Sequence, residues 1–332
     1  MEATAQSLSL PPPLSLPKAA RTLNSPQLKR AQHLHARAVV VVILLGVGLA
    51  VALTALGHPP DKIDLAIFLV VNFFVGIGSS VGFHRHFTHR SFRAKTPVRV
   101  VLAILGSMSM QGTLFFWVAL HRRHHENSDD VGDPHSPHIR EDGSSYTSRG
   151  QGVWHSYMGW TFSHEVPNAA HYAKELISDR VLSRVNRLYF LWVFVGLALP
   201  TLAGAWIRAS WIGALEGLVW GGFLRIFFWH NMIWYITSLS HVIGRRDFKS
   251  GDASRNSLLM ALPTLGESWH NNHHAFPTAP ILHLKWYQFD LSGMLIRVLA
   301  WLGLAWDLKE PSRQMLRDRA LPNDQGFTPV AP

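Results

Sequence analysis

Nine of the chain's 20 histidines fall in three short boxes: His84-Arg-His86-Phe-Thr-His89, His121-Arg-Arg-His124-His125 and His270-Asn-Asn-His273-His274. Imidazole is the commonest protein ligand for borderline transition metals. In the second and third boxes, positions i, i+3 and i+4 lie on one helical face, so each could present its imidazoles to a single centre. In the first box, His84 and His89 are five residues apart, about 140° around an α-helix, so they are expected to straddle a bend or to approach the centre from its side. A lone box is as readily a hydrogen-bonded histidine cluster, but three at the edges of long apolar stretches argue for a metal site. Eight or more imidazoles exceed what one tetrahedral zinc uses, so two metals are the natural count. Soluble di-iron bundles use Glu-x-x-His pairs, and none lies within the boxes. A neutral nitrogen shell suits iron and oxygen chemistry. The nearby acids Glu126, Asp129, Asp130, Asp133 and Glu267 are better placed to accept imidazole N–H groups than to bridge metals.

The elements that position these boxes belong to a membrane protein. Apolar residues make up 48% of the 332-residue chain and charged residues 16%, well below the charged share of soluble domains. Thirteen tryptophans suit two membrane–water interfaces. There is no cysteine, which excludes disulfides, thiolate zinc sites and iron–sulfur clusters. The formal net charge of +10 fits cytoplasmic Lys/Arg bias and attraction to anionic membrane lipid. No basic stripe on a soluble domain points to nucleic acid. An anionic carrier or redox partner docking on the basic face is a further reading.

Hydropathy predicts an all-α integral membrane protein with four transmembrane helices and a cytoplasmic histidine-box catalytic cap. Spans are expected at about 38–57, 65–83, 188–207 and 212–236 within a membrane domain at 37–310. Residues 1–36 read as a disordered cytoplasmic tail, without a cleaved signal peptide, and residues 311–332 as a C-terminal tail. The apolar stretch 98–120 carries Ser107, Ser109, Gln111 and Thr113 and runs into the second box. It is expected at the interface or buried among the spans, since a crossing there would separate the boxes. The two connecting loops hold few basic residues, Lys62 and Arg208, which puts both termini and all three boxes in the cytoplasm. The spans hold few ionisable residues beyond Glu216, Arg225 and His230, so a histidine-rich metal transporter, the reading from another class, lacks an obvious ion path.

The boxes and their flanks resemble the membrane-bound fatty acyl desaturases, in particular the Δ9, stearoyl-CoA-desaturase-like branch. The likeness runs from about Gly76 to Pro311. It rests on Gly82-Phe83-His84-Arg85-His86-Phe87-Thr88-His89-Arg90-Ser91-Phe92, on the second box with Ser128-Asp129 and Asp133-Pro134-His135-Ser136-Pro137, and on Gly266-Glu267-Ser268-Trp269 ahead of the third. The resemblance implies two iron ions, with O2 as co-substrate, ligated by His84, His89, His121, His124, His125, His241, His270, His273 and His274. It implies an acyl tunnel whose kink is lined by Gln111 and Trp117, and a cis double bond, at Δ9, as product. His86 has no counterpart among the ligands and reads, like His155, His164, His171, His230 and His283, as an ordinary structural or surface histidine. Thr237 stands where the family has an asparagine that holds a metal-bound water, and its hydroxyl could take that role. The family's Ser-His-x-Gly-Trp segment reads Ser156-Tyr157-Met158-Gly159-Trp160 here. The Arg/Lys pair that often follows that tryptophan is replaced by Thr161-Phe162-Ser163-His164-Glu165. Polyphosphate sites favour Arg and Lys, so the acyl chain could ride on CoA, on lipid or on a carrier protein. The electron donor is expected to be a separate protein of the ferredoxin, rubredoxin or cytochrome b5 type, and the setting a bacterial inner membrane. A membrane di-iron hydroxylase would use similar boxes and yield an alcohol instead of an alkene.

Overall fold

The computed structural model describes residues 21–322. The protein is mostly helical, and its few strands form two short antiparallel ribbons, Thr22–Leu23 with Val166–Pro167 and Arg93–Ala94 with Ala305–Trp306. Among the described residues four helices are long and apolar enough to cross a membrane: Pro26–Ala55, Lys62–Thr88, Tyr189–Arg208 and Trp211–His241. The second and fourth are about half buried, and the first and third turn most of their apolar surface outward, as spans facing lipid do.

The first span starts earlier than hydropathy alone marks it. Residues 1–20 of the expected tail lie outside the described residues, but residues 26–36 form the opening turns of the helix. Pro26 sits in its first turn, and the Ser25 hydroxyl caps the Leu28 amide. Arg21 pairs with Glu126 at 2.6 Å, and Gln32 Nε2 donates to His164 O at 3.1 Å. These polar anchors order a segment whose composition reads as tail. In the expected C-terminal tail, Arg313–Arg319 is helical, capped by Ser312 and held through buried Leu316.

The second span runs into the first histidine box as a continuous helix. An α-helix over Lys62–Ile77 continues as a π-helix over Gly78–Thr88. In a π-helix, bonds run from i to i+5, and His89 N accordingly donates to His84 O at 3.2 Å. The wider winding stacks residues five apart, so the two histidines the α-helical angle separates come to one side. The fourth span has a second π segment at Gly217–Phe223.

The stretch 98–120 is two helices, Thr96–Ser107 and Leu114–Asn127. Met110 and Gly112 break it with φ of 62° and 100°. The Arg225 guanidinium, buried in the fourth span, donates to Met108 O at 2.8 Å and Gly196 O at 3.2 Å, tying this break to two spans. The helix Thr96–Ser107 packs on the π segment through facing glycines. A Cβ on Gly78 would lie 2.1 Å from Gly106 N. At the opposite end, Arg208 bonds Asp61 (2.7 Å) and Asp64 (2.9 Å), joining the end of the third span to the start of the second.

Gly78→Ala is therefore expected to destabilise the folded protein by about 1–3 kcal/mol. Gly48→Ala, whose Cβ would meet nothing within 4 Å, should not. Thermal unfolding of the two variants in one detergent checks the contrast.

Candidate metal centre and its cavity

The nine expected ligands converge as two groups. His84, His89, His121, His125 and His273 form one; His124, His241, His270 and His274 form the other, and within each the ligand atoms lie within 4.8 Å of one another. Each His-x-x-His-His box is thus divided between the groups instead of facing a single centre. Residues i and i+4 diverge by about 40° around an α-helix, whereas i+3 lies about 60° to the other side of i. His121 and His125 therefore turn to one group and His124 to the other. On the helix His270–Ala275, His270 and His274 share a group while His273 points to its neighbour. His241 arrives from a 3-10 turn at the end of the fourth span.

The spacing of the nitrogens tests whether metals fit. His84 Nε2 lies 3.0 Å from His273 Nε2, which lies 3.0 Å from His125 Nε2. In the other group, His241 Nε2 and His270 Nε2 are 2.9 Å apart. An imidazole nitrogen binds a first-row divalent ion at about 2.1 Å, so two such ligands at right angles sit about 3.0 Å apart. Nε2 of His89, His124 and His274 is buried with no hydrogen-bond partner, a costly state that a bound cation relieves. The donor set fits two metal ions.

Carboxylates hold the far side of the rings. Glu267 Oε2 lies 2.6 Å from His84 Nδ1, Asp133 Oδ1 3.0 Å from His124 Nδ1, and Asp129 Oδ2 2.8 Å from His241 Nδ1. Asp252 binds His274 Nδ1. Each contact fixes the tautomer that leaves Nε2 free to bind. Of the acids expected near the boxes, Glu126 turns away to Arg21 and Tyr172, and Asp130 caps Val131 N. Glu267 stands in Glu-x-x-His spacing to His270, yet its carboxylate serves His84 and Arg85.

Burial first, then the neighbouring imidazoles, pushes His89, His121, His125, His270 and His273 well below the usual histidine range. These rings are neutral, the form that binds metal. Burial also takes His274 down to about 4, against its Asp252 hydrogen bond. Burial would raise Asp133, but the His124 and His135 imidazoles outweigh it and hold the carboxyl at about 2.

Sequence reasoning missed three supports. Asp252 lies in a loop far from any box. His135, buried with Nδ1 3.8 Å from Asp133 Oδ1, completes a third cluster with His124 and Asp133. Asn271 and Asn272, the spacers of the third box, pin its helix from behind. Asn271 Oδ1 accepts from Asp247 N and Phe248 N, and Asn272 Nδ2 donates to Leu282 O and Gln288 Oε1. His86 lies outside both groups, its Nδ1 3.2 Å from Phe92 O.

A largely apolar cavity of about 430 Å³ meets both groups at His84, His121 and His270. Gln111 and Trp117 line it, the Trp117 Nε1–H donating to Gln111 Oε1 at 3.3 Å. Thr237 also lines it, with Oγ1 donating to Ser156 O at 2.9 Å. His164 and His230, read as ordinary from sequence, are part of its wall, and among the described residues no Lys or Arg is.

The family model for fatty acid desaturases matches residues 63–290. The chain is 43% identical over 301 residues to the hex-5-enoyl-[acyl-carrier protein] acetylenase of Moorena producens, covering 91% of this chain and 94% of that one. It is 36% identical over 249 residues to the sn-1 stearoyl-lipid 9-desaturase of Synechocystis, covering 74% and 71%. To acyl-CoA desaturase 1 of Saccharomyces cerevisiae it is 31% identical over 275 residues, 81% of this chain and 51% of that protein.

Asp252→Asn is expected to weaken metal retention about 10–100-fold, whereas His86→Ala should leave it unchanged. Metal analysis of the purified proteins across a chelator series measures both.

Proposed function

The chain belongs to the fatty acid desaturase family, membrane oxidoreductases that act on fatty acyl chains, and from that premise we propose that it uses O2 to introduce a cis double bond, at Δ9, into a saturated acyl chain. The observation that carries this reading is the apolar cavity whose wall includes His84, His121 and His270 from both histidine groups. The proposed ligands are His84, His89, His121, His125 and His273 for one iron, and His124, His241, His270 and His274 for the other. Two bound irons supply the chemistry by which O2, two electrons and two protons become two waters as two hydrogens leave adjacent methylenes.

The chain's own residues do the rest. Glu267, Asp133, Asp129 and Asp252 hold the Nδ1 sides of their imidazoles, so the Nε2 lone pairs face inward. Methylenes offer no chemical handle, so the choice of bond must come from holding the acyl chain in register. Gln111 and Trp117, bonded to each other in the cavity wall, take that role in this reading. Thr237 keeps an acceptor lone pair for a water beside the second group. The lack of Lys and Arg in the cavity wall favours an acyl chain on lipid or a carrier protein over CoA, and the similarity to an acyl-carrier-protein enzyme supports the latter. Electrons come from a separate carrier protein. The Lys/Arg distribution supports a cytoplasmic active site, in this reading at a bacterial inner membrane.

The acetylenase similarity favours a second reading, in which an existing alkene in the acyl chain becomes an alkyne. Expression in a host with a defined acyl pool, followed by mass spectrometry that locates unsaturation, decides among these. A new Δ9 cis-alkene that disappears in His273→Ala is the expected outcome. An alkyne formed only from alkenoyl chains supports the second reading, and an alcohol would identify a hydroxylase. Identical profiles from wild type and His273→Ala would sink the oxidative reading.

A further inference from the structure

The cavity lies against His84, His121 and His270, and a basic surface adjoins the third box through the helix Arg313–Arg319. The helix Arg313–Arg319 presents Arg313 and Arg317 outward, with Lys249 and Lys309 also exposed. The acids exposed beside them are Glu310, which faces Arg297, and Asp318, which accepts from Gln314. Cations therefore outnumber acids on this patch.

This surface is joined to the third histidine box by short connections. Leu316 packs in one buried cluster with Phe248, Ala275 and Phe276. Arg319 donates to Ala275 O, and its guanidinium lies 5.4 Å from the centre of the Phe276 ring. Lys249 N donates to Arg319 O at 2.7 Å. Ala275 directly follows His274, so one hydrogen bond and one residue of backbone separate the Arg319 guanidinium from a ring of the second group.

We propose that this patch, Lys249, Lys309, Arg313 and Arg317, is the docking surface for a small acidic one-electron carrier protein that reduces the metal centre through the third box. The inference rests on the two-metal reading of the histidine groups. Charge complementarity selects the partner: like charges in a cluster raise the encounter rate of an oppositely charged protein. Electron-transfer encounters need only small interfaces, and the rate of transfer falls steeply with separation, which favours the surface immediately behind a ligand. An anionic membrane surface would also be drawn to these cations, but it accepts and delivers no electrons.

The test uses the full chain, iron-loaded, in detergent, mixed anaerobically with a reduced, acidic plant-type [2Fe–2S] ferredoxin, and separately with dithionite. The variant carries Lys249→Glu, Arg313→Glu and Arg317→Glu. Its second-order rate of reduction by ferredoxin should fall at least about tenfold at low salt, and the gap should close as salt screens the charges. Dithionite should reduce both proteins equally fast. A variant with Arg180→Glu and Arg184→Glu, on a different exposed helix, should keep the wild-type rate with ferredoxin. Equal ferredoxin rates for wild type and the triple variant would overturn the proposal, as would an equal loss in the Arg180/Arg184 variant. Failure of dithionite to reduce even the wild type would instead overturn the metal-centre reading on which it rests.

Discussion

Nine imidazoles packed at contact distance repel one another through inward lone pairs unless something fixes each ring from behind and something cationic satisfies it from the front. The protein supplies the first half of that arrangement. Glu267, Asp133, Asp129 and Asp252 each take the Nδ1 side of one histidine. Each carboxylate is itself held. Asp129 also accepts from Ala253 N, Asp133 from Asp129 N and His135 N, and Asp252 from Ser250 and Ser254. An ionised carboxylate in such surroundings is stable only while these partners remain. The loops that carry them are therefore as much a part of the centre as the boxes are.

Helix geometry then decides how the histidines are shared. A His-x-x-His-His run on an α-helix spreads its rings to either side of one line, so two adjacent runs facing each other define two centres. The first box solves a different problem. Its pair lies five residues apart, and only the i to i+5 winding of Gly78–Thr88 sets them on one side. That winding needs a tight seat, which the Gly78–Gly106 approach provides. Packing between a span and the short helix beside it thus fixes the angle at which His84 and His89 enter.

Much of this was legible in the sequence, and the exceptions share a cause. Runs of Val, Leu and Ile reported the four long helices because burial in lipid demands uniform apolarity. Histidine spacing and its flanks reported the residues that converge, and His241 joins them in the four-histidine group. The opening turns of the first span were hidden because their order comes from tertiary anchors, Arg21 with Glu126 and Gln32 with His164 O, and not from local pattern. The bend, one of two ways offered to bring His84 and His89 together, followed from assuming α-helical angles where the winding is that of a π-helix. Asp252 gave no signal because a single aspartate in a loop 22 residues before its histidine has no spacing rule to reveal it.

The two groups are also braced unequally, and the brace explains Arg85, within the first box, and Glu267, ahead of the third. Arg85 lies in the first box itself, fully enclosed. Its Nε donates to Glu267 Oε1 at 2.9 Å and its two terminal nitrogens grip both oxygens of Asp290, at 2.7 and 2.9 Å. Glu267 passes that restraint to His84, and Asp290 passes it to the backbone at Leu282 and Gly293. Burial would raise the Glu267 carboxyl, but Arg85 and His84 outweigh it and keep it ionised. One cation therefore keeps anionic the carboxylate that orients His84, while bidentate geometry makes the link directional, which an ammonium could not reproduce. The five-histidine group is in this way tied to the helix Leu291–Trp301 through Asp290, its N-cap. The four-histidine group hangs on loop carboxylates, and its rings are steadied by the Asn271–Asn272 pins beneath the third box.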